Sequence, residues 1–160
     1  MIYRPSVDLF TQGVVMFQKI LVPTDGSELS KLAIEKAVCF AAEIDAHIIG
    51  LTVTEPFHVV STDGVVISDT AETYEIDMQR LADQRLKPIQ QLCGQLEVDC
   101  EVFHKIGHHP YDQIVITAEK EHCDIIFMAS HGRKGFSALL IGSEVNKVLT
   151  HTQIPVLVFR

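Results

Sequence analysis

The sequence predicts a single doubly wound, Rossmann-like α/β domain, with a five-stranded parallel sheet and helices on both of its faces. Short apolar runs alternate along the chain with amphipathic segments of helical period, which is the pattern of consecutive βαβ units. The runs lack a polar face, as is typical of strands that are covered on both sides. A length of 160 residues suits one domain with a full hydrophobic core.

The first βαβ unit is predicted over residues 19–54. Residues 19–23 (KILVP) form an apolar run that ends at a turn and helix-start signal, TDGS. Apolar residues then recur at helical spacing over 28–44, which predicts an amphipathic helix. The run at 47–54 (HIIGLTVT) is apolar enough to be a strand buried on both faces.

A long connection opens the second unit. Residues 55–68 predict a loop that exceeds most connections in compact domains, so it is a candidate cover for a site. The helix predicted at 69–94 contains Pro88, which is expected to kink or divide it. Residues 97–104 alternate acidic with apolar side chains and predict a strand near an edge of the sheet.

The remaining elements repeat the alternation. Pro110 suits the first turn of a helix over 110–121. The elements predicted after it are a strand at 124–129, a glycine-containing loop at 130–141, a helix at 142–150 and a strand at 155–159.

The predicted topology also predicts where a ligand binds. In doubly wound sheets, ligands lie beyond the carboxyl ends of the strands, where the strand order reverses. The segments that follow the first, second and fourth predicted strands are therefore the candidates, namely 23–27, 53–55 and 129–143.

The loop after the fourth predicted strand carries an anion-binding pattern. Gly132 is followed, after nine residues, by Gly142-Ser143 at the start of a helix. The first N–H groups of a helix and its dipole favour an anion, and a glycine allows close approach. Arg133 adds positive charge. The Ser143 hydroxyl either bonds a phosphate oxygen or caps the helix, and the pattern is equally compatible with an ordinary loop glycine and serine cap. Neither a P-loop nor a G-x-G-x-x-G sequence is present.

Four stretches of sequence resemble the universal stress protein family. MASHGRKGFSALLIGSEVNKVLTHTQIPVLV resembles the C-terminal signature of that family, and KILVPTDGSE resembles its beginning. IIGLTV and KIGHHPYDQI resemble its second strand and its third strand-to-helix turn. The resemblance covers residues 17–160 as one domain and leaves 1–16 as a loosely attached N-terminal extension.

The resemblance implies an ATP-binding motif, with one departure. The family's motif is glycine, two residues, glycine, nine residues, and glycine followed by serine or threonine. Gly132 and Gly142-Ser143 match it, whereas Ala129 replaces the first glycine. The alanine methyl either crowds the ribose or α-phosphate or points away from them. The resemblance also places Pro23, Thr24 and Asp25 in the adenine pocket and assigns Val53 to packing on adenine. It places Gly107 in the turn after the third strand and Met128 at the mouth of the nucleotide site. The backbone N–H groups of Glu144 and Val145 would bind the phosphates.

Two of these assignments have a structural alternative. The Asp25 carboxylate meets either a ribose hydroxyl or a metal ion, or it forms an Asx turn or cap for the first helix. Val53 is equally suited to plain core packing. The histidines show no spacing typical of a dedicated metal site, so Mg²⁺ is expected only with ATP.

The expected function is a cytoplasmic binding module for ATP or AMP, acting in stress response or signalling. The net charge of −8 disfavours nucleic-acid and membrane partners, and the first residues do not resemble a signal peptide. No nucleophile–base set is recognisable, so slow hydrolysis at most is expected. The alternatives are a weak ATPase, and a family member that binds no ATP and acts through its dimer and protein partners. The resemblance implies a homodimer through the strand at 154–159.

Overall fold

The computed structural model describes residues 16–57, 61–62, 65–66, 71–131 and 141–160. The predicted N-terminal extension, apart from Met16, lies outside the described residues, as do Gly132 and Arg133. In chain order, the described elements are β1 (Lys19–Pro23), α1 (Glu28–Ile44), β2 (His47–Thr54), β3 (Ser61–Thr62), β4 (Val65–Val66), α2 (Ala71–Leu96), β5 (Cys100–Ile106), α3 (Pro110–Lys120), β6 (Ile125–Ala129), α4 (Ser143–His151) and β7 (Val156–Phe159).

The sheet confirms the predicted doubly wound α/β class. Its five strands run parallel in the order β5-β2-β1-β6-β7. The chain builds the sheet outward from β1 to β5 and then returns to the other side of β1. The strand order therefore reverses between β1 and β6, and β5 and β7 form the two edges, which confirms the edge position predicted for the third strand of the sheet.

The sheet opens at this reversal point. β1 pairs with β2 as far as Pro23↔Leu51, but its pairing with β6 ends at Leu21↔Ile126. At the opposite end, the Asp124 carboxylate accepts hydrogen bonds from the backbone N–H groups of Gln18 (2.7 Å) and Lys19 (2.9 Å). The central strands are thus tied together at their amino ends and diverge at their carboxyl ends.

Each face of the sheet is covered by one pair of helices. Because side chains alternate along a strand, neighbouring residues of β6 belong to different cores. Phe127 packs with α1 and α2, whereas Met128 packs with α3 and α4. The helix residues at the centre of the first core are Ile34, Ala37, Val38, Leu86 and Ile89, and those of the second are Ile114, Ala118, Val145 and Val148.

The structure corrects three details of the predicted elements. α2 continues through Pro88 from Ala71 to Leu96, so the proline does not divide it. The third strand of the sheet begins at Cys100 rather than 97, because Glu97 has a φ of 56° and turns the chain after α2. The predicted loop at 55–68 contains the short antiparallel pair β3–β4. Among the described helices, none combines the length and apolarity that a membrane span requires.

Candidate functional site

A cavity of about 750 Å³ lies at the carboxyl ends of the strands, where the sheet opens. Its walls come from the ends of β1, β2 and β6, from the turn between β5 and α3, and from α2 and the start of α4. Every predicted site residue within the described part of the chain lines it: Pro23, Thr24, Asp25, Val53, Gly107, Met128, Ala129, Gly142, Ser143, Glu144 and Val145. The topology thus brings together residues that are far apart in sequence.

The turn after β1 is held by its own side chains. Asp25 Oδ1 accepts a hydrogen bond from the Ser27 N–H (3.0 Å), and Thr24 Oγ1 accepts one from the Gly26 N–H (3.1 Å). Gly26 has a φ of 78°, a conformation that other residues rarely adopt. The Asx-turn interpretation of Asp25 is therefore confirmed, and the carboxylate also lies on the cavity wall.

The N-terminus of α4 lies at the cavity wall, with backbone donors that have no partner within the helix. The first bond of the helix runs from the Asn146 N–H to the Gly142 carbonyl (3.1 Å), so the N–H groups of Ser143, Glu144 and Val145 have no partner within the helix. Gly142 is the N-cap and carries no side chain. The prediction that Ser143 caps the helix is wrong, because the cap position falls one residue earlier.

Gly142 also lies unusually close to the end of β6. Its N–H donates to the Ser130 carbonyl over 2.8 Å, and a Cβ atom built on Gly142 would lie 2.8 Å from the same oxygen. Gly142 has an ordinary negative φ of −58°, so the glycine is required by space and not by backbone conformation. This contact sets the position of the α4 N-terminus against the sheet.

Glu144 bridges the last two helices through its side chain. Its Oε2 accepts a hydrogen bond from the Tyr111 N–H in the first turn of α3 (2.9 Å), and its Oε1 lies 3.0 Å from Lys147 Nζ. Lys147 in turn lies 5.1 Å from the Tyr111 ring centroid. The α3 N-cap residue, His109, makes no capping bond with its side chain, and Glu144 satisfies one of the donors left there. From the sequence, only the pairing of Glu144 with Lys147 is predictable, through their i,i+3 spacing, and the contact with Tyr111 is not.

The other end of the cavity is mainly apolar. Val53 packs against the second core, which confirms the core-packing interpretation. It also lines the cavity, and its contact with an adenine base stays a prediction. Sequence reasoning did not assign the α2 residues that face it, although Tyr74, Met78 and Leu81 share one side of the predicted helix. Arg85 of α2 donates a hydrogen bond from Nη1 to the Val53 carbonyl (3.2 Å), and Tyr74 donates from its hydroxyl to the Glu55 carbonyl (2.9 Å).

Gly107 joins this end of the cavity to α3. Its N–H donates to the Thr54 carbonyl over 2.9 Å. A Cβ atom at Gly107 would lie 3.0 Å from Gln113 Cγ, so a larger residue would crowd that side chain. The turn glycine therefore lets α3 begin close to the end of β2.

A chain of side chains leads from the cavity wall to the surface of α2. Thr54 Oγ1 lies 2.7 Å from His104 Nε2, and His104 Nδ1 lies 3.1 Å from Gln79 Oε1. Gln79 Nε2 donates to Asp83 Oδ1 over 2.9 Å. Burial lowers the pKa of His104 below its ordinary value of 6.5, and the positive charge of Arg85 acts in the same direction, whereas Asp83 opposes the shift.

This lowered pKa makes stability depend on pH. The unfolded chain takes up a proton on His104 near pH 6.5, while the folded protein takes it up only at lower pH, so the free energy of unfolding falls as the pH drops through that window. We expect His104→Gln to make the free energy of unfolding less pH-dependent between about pH 7 and the lowered pKa. Urea unfolding at a series of pH values measures this, and an unchanged slope would contradict it.

Within the described residues, no group of three or more His, Cys, Asp or Glu side chains is arranged to hold a metal ion.

Comparison with protein families gives a match over most of the chain. The model of the universal stress protein family matches residues 16–160. Universal stress protein MJ0531 of Methanocaldococcus jannaschii is 27% identical over 159 residues, which cover 95% of this chain and 87% of that protein. Universal stress protein MJ0577 of the same organism is 29% identical over 159 residues, which cover 91% of this chain and 96% of that protein.

Solved structures resemble the fold along its length. The structure of MJ0577 has a TM-score of 0.76 at 26% identity and covers 89% of this chain and 95% of its own. A universal stress protein in complex with cAMP has a TM-score of 0.65 at 21% identity, covering 90% of this chain and 97% of its own. A universal stress protein family member from Arabidopsis thaliana with AMP bound has a TM-score of 0.60 at 18% identity, covering 89% of this chain and 90% of its own. At 21% and 18% identity, the likeness to these two structures shows the fold alone.

Proposed function

We propose that this chain, which belongs to the universal stress protein family, is a cytoplasmic receptor for an adenine nucleotide, ATP or AMP. The observation that carries the proposal is the α4 N-terminus, where the Ser143, Glu144 and Val145 N–H groups have no partner within the helix and begin it at the cavity wall. Backbone donors and the helix dipole together favour a phosphate at that position. Solved relatives with the same fold carry cAMP and AMP, which supports this ligand class.

The other end of the cavity suits the base. Leu51, Val53 and Leu81, from β2 and α2, give it an apolar lining of the kind that flat heterocycles prefer. A volume of about 750 Å³ lies within the range of small-molecule sites in proteins. The proposed orientation therefore places the base beside β2 and α2 and the phosphates at α4, with Mg²⁺ arriving on ATP.

Ala129 is compatible with this orientation. Side-chain alternation along β6 places its methyl group on the face of Phe127, which packs with α1 and α2, whereas α4 packs on the face of Met128. The methyl group is thus directed away from the face that carries the proposed phosphate site. This favours nucleotide binding over the alternative of a family member that has lost it.

We expect the parent protein to bind ATP with Mg²⁺. Ala129→Gly should change the dissociation constant by no more than about threefold, which is less than the roughly 1.4 kcal/mol of a tenfold change in affinity. Titration calorimetry of the two proteins measures it. A parent that binds neither ATP nor AMP, with binding restored by glycine, would overturn the proposal and favour a role through the dimer and protein partners.

Two of the three carboxylates among the described residues that line the cavity have structural roles that favour binding over turnover. Asp25 accepts the Ser27 N–H, and Glu144 accepts the Tyr111 N–H while paired with Lys147. Both side chains are therefore used to hold turns and helices in place. We accordingly propose slow hydrolysis at most, and phosphate release at rates typical of ATPases would instead support the weak-ATPase alternative.

The proposed receptor is a homodimer that pairs through residues 154–159. β7 is an edge strand whose residues, VLVF, are all apolar, and Leu157 is 43% exposed. The opposite edge strand, β5, carries Glu101 and Lys105, and charges of this kind discourage pairing at an edge. The contrast between the two edges supports β7 as the surface that meets a second copy.

A further inference from the structure

The hydrogen bonds that link Asp83, Gln79, His104 and Thr54 have a preferred direction of donation, which can be followed from Asp83 at the surface. An ionised Asp83 carboxylate only accepts hydrogen bonds, so the Gln79 amide must present its NH₂ group to it. The Gln79 carbonyl oxygen then faces His104 Nδ1, which lies 3.1 Å away. A carbonyl oxygen only accepts, so this arrangement favours the tautomer of His104 that carries its proton on Nδ1.

This tautomer determines the state of Thr54. In neutral His104, with the proton on Nδ1, Nε2 is an acceptor. In this tautomer, Thr54 Oγ1, which lies 2.7 Å from Nε2, donates its only hydroxyl proton to His104. Thr54 lines the cavity and is 4% exposed, so its orientation is constrained by packing as well. What its hydroxyl can still offer to a ligand is a lone pair.

We propose that Thr54 is a specificity-determining residue that presents only a hydrogen-bond acceptor to the base and so selects a purine with an exocyclic amino group over a 6-oxopurine. The inference rests on the proposed function, because it needs the base at the apolar end of the cavity. An amino group donates to the Thr54 lone pair, whereas a 6-oxo group would place a second acceptor against it. His104 and Gln79 act as positioning residues, because they act only through Thr54.

Protonation of His104 removes the selection. Both ring nitrogens then carry protons, Nε2 donates to Thr54, and the Thr54 proton becomes available to the cavity. The groups that face His104 are Gln79, Asp83 and Arg85 from α2 and Thr54 from β2. Because burial lowers the pKa of His104, the amino-selective state extends below pH 6.5. The preference for the amino group is expected to decline below that lowered pKa.

The tautomer can be tested in the ligand-free protein. Long-range ¹H–¹⁵N correlation spectra of the ¹⁵N-labelled protein at about pH 7.5 distinguish a protonated from an unprotonated ring nitrogen. We expect His104 to show a protonated Nδ1 and an unprotonated Nε2. A proton on Nε2 at that pH would overturn the inference without bearing on nucleotide binding.

The selection is tested by calorimetry with AMP and inosine 5′-monophosphate, which differ in the 6-amino and 6-oxo groups. The parent is expected to bind AMP about tenfold more tightly, a ratio typical of one hydrogen bond gained or lost in a buried site. Gln79→Met leaves Nδ1 without its acceptor, so the ratio should approach one while AMP still binds. Gln90→Met is the matched control on the exposed side of α2 and should retain the parent's ratio.

The outcomes separate the two proposals. AMP binding with no preference over inosine 5′-monophosphate overturns the role of Thr54 and leaves the proposed function standing. A preference that survives Gln79→Met overturns the positioning role of the chain. An absence of AMP binding overturns the proposed function and this inference together.

Discussion

Gly142→Ala is expected to weaken nucleotide binding by about tenfold or more, and Gly142→Val to abolish it. The added Cβ would lie 2.8 Å from the Ser130 carbonyl oxygen, which belongs to the backbone and cannot rotate away. The start of α4 must therefore shift away from β6, and the Ser143, Glu144 and Val145 N–H groups shift with it. A tenfold loss corresponds to about 1.4 kcal/mol, comparable to one hydrogen bond to a charged group.

Gly94→Ala is the matched control for this prediction. It adds the same methyl group in α2, where no heavy atom lies within 4 Å of the new Cβ. Alanine replaces glycine inside a helix there, so we expect a stability gain of about 0.5–1 kcal/mol and unchanged affinity. Gly142→Ala should cost about 1–3 kcal/mol of stability through overpacking while remaining folded by circular dichroism. Calorimetry with ATP and Mg²⁺ measures the affinities, and parent-like binding by both Gly142 variants would refute the phosphate position.

Leu157→Asp is expected to convert the proposed dimer to monomers. An aspartate in the middle of β7 would place a charge within the proposed strand-to-strand interface, where its desolvation has no compensating partner. The dimer dissociation constant should rise by about a hundredfold or more, which corresponds to about 2.8 kcal/mol. Sedimentation velocity over a range of protein concentrations measures the change.

Leu149→Asp provides a control of nearly equal exposure. Leu149 is 44% exposed against 43% for Leu157, but it lies on α4 instead of the sheet edge. This variant should sediment as the parent does. A Leu157→Asp protein that remains dimeric, or a dimer disrupted equally by both changes, would refute pairing through β7.

Local signals were sufficient to predict most of the fold. The TDGS turn, the periodicity of α1 and the apolar runs of β1, β2 and β6 depend on residues near one another in sequence, so the element positions agree closely with the structure. Pro88 is the informative case, because the helix is not divided there. A proline removes one backbone donor from a helix and disfavours the preceding turn, but α2 continues because Leu86, Ile89 and Cys93 are packed in the first core. Packing of this kind is not visible in a local pattern.

The site was predictable where topology alone determines it. The rule that ligands lie at a strand-order reversal predicted the segments 23–27, 53–55 and 129–143, whose described residues include the cavity lining around Asp25, Val53 and Gly142. The family resemblance then assigned roles to single residues within them. The contacts that give those residues their roles are long-range. Glu144 meets Tyr111 across 33 residues, and Thr54 meets His104 across 50. No spacing in the sequence indicates such pairs, because they depend on how the strands and helices are placed side by side.

The hydrogen bonds from the Gln18 and Lys19 N–H groups to the Asp124 carboxylate also have a consequence for the rate of folding. These bonds join residues 106 and 105 positions apart, and the β1–β6 pairing beside them is of similar span. Closing so long a loop carries a large entropic cost and slows folding, whereas α1 and its contacts with β1 and β2 are local. The two halves of the cavity thus meet only when this slow step is complete. A ligand that contacts both β1 and α4 would bind only chains in which this pairing has formed, and by mass action it would stabilise that folded state.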